Sequence, residues 1–309
     1  MDVAVLGLGL IGGSVLRALA ASGHRVLGFD ADPATRATAR TAGARAPSGA
    51  RWQVTQTARD AITAAELVVL AVPLPALPAV LTEVAATGFD GLVTDVTSVK
   101  GPVRDLIDAH LPGAASFVGG HPMAGREVSG FNAGDARLFD GCAWVLCLEP
   151  GRTALPDWLD LADLVTSLGA RAVPATADEH DRAVAAVSHV PHLLASALAR
   201  AVADEPLAAA RAAGSFRDGS RVAASASALV AAMCGGNAAA VGPALDRAQQ
   251  DLAAMRAALD DPEPVAALRP LLAPGNAARR AWPPAAGEPV ELPARVDTLL
   301  ELGRAGGWV

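Results

Sequence analysis

The residues best suited to chemistry lie in three short runs. Gly7-Leu8-Gly9-Leu10-Ile11-Gly12 stands between an apolar run and a helical pattern, the setting a dinucleotide-binding loop requires. Gly7 permits a tight turn, Gly9 lets the backbone approach a pyrophosphate, and Gly12 lets the helix pack closely on the strand. Leu10 and Ile11 then open that helix with its amides toward the anion. Asp30 ends the next apolar run, 23 positions after Gly7 (30 minus 7), where a carboxylate would bond the adenosine ribose and repel a 2′-phosphate. NAD is therefore the expected cofactor and NADP is disfavoured. Pro73, just past the apolar run 67–72, is expected beside the same cofactor.

The second run is Asp95-Val96-Thr97-Ser98-Val99-Lys100-Gly101, and the third, at 119–130, holds Gly119-Gly120-His121-Pro122-Met123-Ala124-Gly125-Arg126. Both follow strand-like segments, so both belong at the carboxyl end of a sheet, where ligands bind in such folds. A histidine after a strand and a Gly-Gly pair, locked by the following proline, is placed to take a proton from a substrate hydroxyl. An isolated histidine is more often packed or solvated than catalytic, so His121 needs further support.

The elements that must position these residues can be read from periodicity. Apolar runs at 2–6, 25–29, 67–72, 92–96, 116–119, 143–148 and 170–174 read as strands, separated by helical segments. That alternation implies a parallel sheet covered on both faces. From 176 to 259 the chain reads as Ala- and Leu-rich helices with no further strand. The fold class is α/β, an N-terminal doubly wound (Rossmann-type) sheet domain at 1–174 followed by an all-helical domain at 175–309. The helical part is apolar enough to serve substrate binding and dimerisation. Its tail after about 274, rich in Pro, Gly and Ala, is expected to be loop, with one short helix within 296–309.

Composition narrows the function. A length of 309 residues suits two domains, and 52% hydrophobic against 18% charged residues can build a core. The formal net charge of -7 argues against nucleic-acid binding, which needs clustered Lys and Arg, and favours a small-molecule partner. Cys142, Cys147 and Cys234 have no paired ligand spacing, so no disulfide framework and no metal site are expected. The glycine-broken N-terminus does not read as a signal peptide, and no apolar stretch reaches the ~20 residues a membrane span needs. A cytoplasmic location and no membrane partner are expected.

Five blocks in order resemble the prephenate and arogenate dehydrogenases: GLGLIGGS at 7–14, TDVTSVKG at 94–101, GGHPMAG at 119–125, AVSHVPHLLA at 186–195 and FRDGSRVAAS at 216–225. The resemblance implies NAD-dependent oxidative decarboxylation of prephenate to 4-hydroxyphenylpyruvate in tyrosine biosynthesis, by a homodimer joined through its helical domain. Arogenate, giving tyrosine, is the alternative substrate. It further implies that His121 is the catalytic base, that Ser98 bonds the same hydroxyl, that His192 lines the substrate pocket and that Arg221 clamps a carboxylate. His189 is a neighbour in the motif. Two positions depart from the family pattern: Arg126 replaces a small hydroxyl residue and Val230 replaces a tryptophan. Arg126 could add positive charge for a dianionic substrate. A hydroxy-acid dehydrogenase would place a lysine in the helical domain, whereas the single lysine here is Lys100. A nucleotide-sensing protein would keep the glycines without needing Ser98, His121 and Arg221 together.

Overall fold

Val3, Ala4, Val5 and Leu6 are buried almost completely, as the middle strand of a parallel sheet covered on both faces must be. The computed structural model of the chain describes residues 1–113, 116–126, 128–283 and 287–309. Glu127 of the third run and residues 284–286 of the expected tail lie outside the described residues.

The first strand, β1 (Asp2–Leu6), is followed by β2 (Arg25–Phe29), β3 (Gln53–Val54), β4 (Leu67–Leu70), β5 (Leu92–Asp95) and β6 (Ser116–Val118). They form one six-stranded sheet in the order β3-β2-β1-β4-β5-β6, with every pairing parallel. Because successive side chains alternate faces, β1 feeds two cores. Val3 and Val5 pack with helices α1 (Leu10–Ala21) and, further along the chain, Leu155–Ser167. Ala4 and Leu6 pack against Leu77–Thr87 and Gly101–His110. In chain order these helices are α1, then α2 (Pro33–Arg45), α3 (Ala58–Ile62), α4 (Leu77–Thr87), α5 (Gly101–His110) and α6 (Leu155–Ser167). The order reverses between β1 and β4, which opens the crevice where such sheets bind nucleotides.

The later strands do not extend this sheet. β7 (Gly120–Pro122), β8 (Ala143–Cys147) and β9 (Arg171–Ala175) form a separate three-stranded sheet, with β7 antiparallel to β8 and β8 parallel to β9. The single continuous sheet expected from the alternation is thus corrected to two. The turn at Gly119, whose carbonyl accepts from the Cys147 N–H at 2.7 Å, swings the chain off the edge strand β6. A short apolar run carries no mark of which sheet will accept it.

Beyond β9 lie α7 (Ala177–Val184), a π turn (Ala185–His189), α8 (Val190–Ala199), α9 (Pro206–Arg211), α10 (Gly214–Ser220), α11 (Ser227–Gly236), α12 (Ala238–Ala258), α13 (Pro264–Ala281) and α14 (Val296–Arg304). Thr176 starts α7 with a capping box: its hydroxyl accepts from the Glu179 N–H while the Glu179 carboxylate accepts from the Thr176 N–H. The core of this region is small, centred on Ala185, Val190, Val241 and Ala244.

Two tail expectations need correction. The loop expected after 274 begins only after Ala281, because the Leu-, Ala- and Arg-rich α13 continues through Pro270 and Pro274. The prolines are tolerated in an exposed helix whose neighbours are strong helix formers. The end of the chain also leaves the helical unit to which 175–309 was assigned. Leu299 and Leu300 of α14 are buried in the core of the first domain, and Ala172 and Val309 exchange two backbone hydrogen bonds at 2.9 and 2.8 Å. Gly303 makes this docking possible, since a Cβ there would lie 1.8 Å from the Pro174 carbonyl oxygen.

Candidate active site

The phosphate loop has the shape its glycines suggested. Gly7 has a φ of +97°, and a Cβ on it would lie 2.4 Å from the Ala71 carbonyl oxygen. A Cβ on Gly12 would lie 2.0 Å from the Gly7 oxygen, whereas one on Gly9 would meet nothing within 4 Å. The open space at Gly9 faces the start of α1, with Leu10 and Ile11 in its first turn, which is where a pyrophosphate would be held. Asp30 follows β2 and accepts from the Leu8 N–H at 2.7 Å, so the carboxylate expected at the ribose is tied to the loop itself. Arg36, the nearest candidate partner for a 2′-phosphate, instead donates to the carbonyls of Asp30 and Ala31 at 2.6 and 3.0 Å. Pro73 caps the 3-10 turn Leu74–Ala76 just after β4, and Leu74 meets Gly236 of α11. These residues fit a bound dinucleotide of the NAD type.

His121 lies within β7, on the side of the small sheet opposite Trp144 and Leu146, which are buried in the main core. Its Nδ1 is 2.8 Å from Nε2 of His180, and Nδ1 of His180 is 2.8 Å from Oδ1 of Asp181. Both partners are in α7. The Asp181 carboxylate also accepts from the backbone N–H of Lys100 and of Gly101, each at 2.8 Å, and burial notwithstanding these bonds hold it below the usual carboxylate range.

This line of groups assigns the tautomers. A carboxylate can only accept, so His180 donates from Nδ1 and carries a bare Nε2. His121 must then donate from Nδ1, and its own Nε2 is left as an acceptor. Burial, reinforced by the neighbouring His180, Lys100 and His189, holds the His121 imidazole well below its ordinary value of 6.5. The site therefore presents a neutral imidazole with a free lone pair, which is what a general base for a hydroxyl needs.

Ser98 sits in the loop after β5, between Asp95 and the Lys100 that closes it. The π turn shifts the register between α7 and α8, and such turns recur at functional sites. His189, at its end, is wholly buried and its imidazole is pushed down to about 4, first by desolvation. Its Nδ1 meets the Asn237 amide at 3.2 Å, and that amide also donates to the Asp181 carbonyl at 2.8 Å. His192, in the first turn of α8, is half-buried and bonds the Ser188 carbonyl through Nδ1, leaving Nε2 on the other side of the ring. Arg221 begins a 3-10 turn (Arg221–Ala224) that packs against α8, so it shares an interface with the helix bearing His192. Arg126 is engaged elsewhere: it pairs with Asp135 at 3.0 Å on the exposed side of the loop after β7. The Asp135 N–H in turn donates to Ser14 Oγ in α1.

The model of the prephenate dehydrogenase nucleotide-binding domain matches residues 15–173, and the model of the prephenate dehydrogenase dimerization domain matches 176–269. The chain belongs to the prephenate dehydrogenase family. It is 33% identical over 239 residues to a prephenate dehydrogenase of Bacillus subtilis, covering 74% of this chain and 62% of that one. It thus spans a little under two thirds of that relative's length. A cyclohexadienyl dehydrogenase of Zymomonas mobilis is 34% identical over 265 residues, 83% of this chain and 88% of the relative. A crystal structure from Corynebacterium glutamicum, provisionally described as a prephenate dehydrogenase, superposes with a TM-score of 0.86 at 33% identity, covering 99% and 97% of the two chains.

Sequence reasoning missed His180 and Asp181 entirely. The only local signal was an adjacent His-Asp pair on the inner face of a well-capped helix, directly after the last strand. Lys100 was noted for being single, but nothing in its run showed that it would be buried.

Proposed function

We propose that the protein is an NAD-dependent prephenate dehydrogenase acting in the cytoplasm as a homodimer. The observation that carries this reading is the Asp181, His180, His121 line, which leaves a bare Nε2 on a half-buried neutral imidazole at the carboxyl end of the nucleotide-binding sheet. His121 accepts the proton of the ring hydroxyl as the carbon bearing it loses hydride. Bound NAD would supply the hydride acceptor, held by Gly7, Gly9, Gly12 and Asp30. The resulting dienone loses its ring carboxylate as CO2; the electron pair of the broken C–C bond enters the ring, which becomes aromatic. His121 returns its proton to the phenolate oxygen, so the base is regenerated. Ser98 is assigned to orient the hydroxyl, and Arg221 with His192 to hold the substrate's carboxylates. Arg126, tied to Asp135, is given at most a rim role.

The small helical core, the exposed Val187, Leu207, Leu229, Leu252, Leu259 and Val265, and the match to a dimerization domain support assembly through the helical region. The division into 1–174 and 175–295, with the C-terminal helix returned to the first unit, is our reading of the domains. Among the described residues no single helix is long and apolar enough to cross a membrane.

The Zymomonas mobilis relative is named for a cyclohexadienyl substrate, a ring that prephenate and arogenate share, so arogenate is kept as the second substrate. Purified protein mixed with prephenate or arogenate, each with NAD or NADP, separates the readings by absorbance of the reduced nicotinamide. Fastest turnover is expected with prephenate and NAD. No turnover of either acid with either cofactor would sink the proposal.

A further inference from the structure

Lys100 is the chain's single lysine, and both its charge and its backbone are engaged inside the fold. Its side chain is 1% exposed and that of its partner Asp95 is 0% exposed. Lys100 Nζ pairs with Asp95 Oδ2 and also donates to the Gly120 carbonyl at 2.5 Å. Asp95 Oδ1 accepts from the Gly120 N–H at 3.1 Å. The ion pair therefore grips the peptide groups on both sides of Gly120, one residue before His121. A Cβ on Gly120 would lie 2.6 Å from the Asp95 carbonyl oxygen, so this grip requires the glycine.

The same lysine also reaches the far end of the imidazole line. Its backbone N–H, with that of Gly101, fixes the Asp181 carboxylate, which orients His180 and through it His121. Positions 100 and 181 are 81 residues apart, so only the packing of α7 against the start of α5 brings them together.

A fully buried ion pair is seldom the most stable filling for a core, because desolvation of both charges offsets much of their attraction. Two apolar side chains of similar volume would hold β5 and β7 together as firmly. What the pair adds is a fixed dipole, whose cationic end is Lys100, and directed hydrogen bonds beside the base. We propose that Lys100 is a positioning residue for His121: with Asp95 it locks the strand that carries the base, and through its backbone it locks the carboxylate that sets the tautomer of the base. This rests on the reading of His121 as the general base.

The charged and titratable groups that face His121 are His180 from α7, with Asp181 behind it, His189 from the π turn, and Lys100 from the loop before α5, with Asp95 behind it. Removing the lysine charge takes away one of the influences that hold the imidazole neutral.

The test uses Lys100→Met and, because that change leaves Asp95 buried without a partner, the double variant Lys100→Met/Asp95→Asn. Steady-state kinetics against pH would be combined with NMR titration of the histidine side chains, the His121 signal being assigned by its absence in His121→Asn. In folded variants kcat is expected to fall about tenfold with KM changed less than about twofold. The acid limb of kcat and the His121 titration should both move to higher pH. The titration is read without turnover, so an inactive wild-type protein would sink the functional reading while leaving this proposal measurable. A folded variant with wild-type kcat and an unmoved His121 titration would overturn the proposal. So would a raised KM at unchanged kcat, which would make Lys100 a substrate-binding group. Unfolding of both variants would assign it to stability alone and overturn it equally.

Discussion

At the scale of single residues, the site works because acceptors and donors alternate along one line. Asp181 accepts, His180 donates and accepts, His121 donates, and the remaining lone pair is the one we propose as the base. Replacing His121 with Asn keeps a polar side chain of similar reach but no base, so kcat should fall by roughly 10²–10⁴-fold with little change in KM. The sign of the pH effect follows from the direction of the shift. His121 is active when neutral, and its pKa lies well below 6.5, so wild-type kcat should stay flat as pH falls through 6.5 and decline only at more acid values. The Asn variant should lack that decline. An Asn variant retaining most of the activity, or the same acid limb, would move the role of base elsewhere, with His192 the next candidate.

At the scale of elements, the glycine loop and its strand were legible because every requirement is local: a turn needs Gly7, close packing needs Gly12, and a ribose carboxylate needs to end β2. The C-terminal helix is the opposite case. α14 reads as an amphipathic helix, yet nothing in its own sequence says that its apolar face will be taken by the first domain. Leu300 is 3% exposed there, so Leu300→Ala should cost about 2–4 kcal/mol of stability through a cavity at the β9 edge. Urea unfolding followed by far-UV circular dichroism would measure it. A loss below about 0.5 kcal/mol would mean that the helix contributes little to that core.

At the scale of the whole molecule, the first domain has two well-filled cores on the faces of its sheet, whereas the helical region buries only a small cluster of its own. Large apolar side chains remain on its surface, Val187 at 71% and Val265 at 84% exposure among them. A surface of that kind is usually covered by another copy. Sedimentation equilibrium at micromolar concentration is expected to give twice the mass of one chain. A mass of a single chain would show that these helices are not an interface of the free protein.

By itself the sequence determined the glycine loop, the helix-strand alternation and the candidate base, and it placed a carboxylate, Asp30, at the end of β2, because turn geometry, periodicity and short spacings are properties of neighbouring residues. It also carried the family in five ordered blocks. The tertiary structure alone decided which groups surround the proposed base. His121 and His180 are 59 residues apart, Lys100 and Asp181 are 81 apart, and Asn237 reaches across 56 residues to the Asp181 carbonyl. It also drew Arg126 away to Asp135, split the strands into two sheets and returned α14 to the first domain. Each of these contacts depends on the angle and register at which α7, the π turn and the small sheet pack. A hydrogen bond lost over a shift of about an ångström cannot be read from residue types strung far apart along a chain.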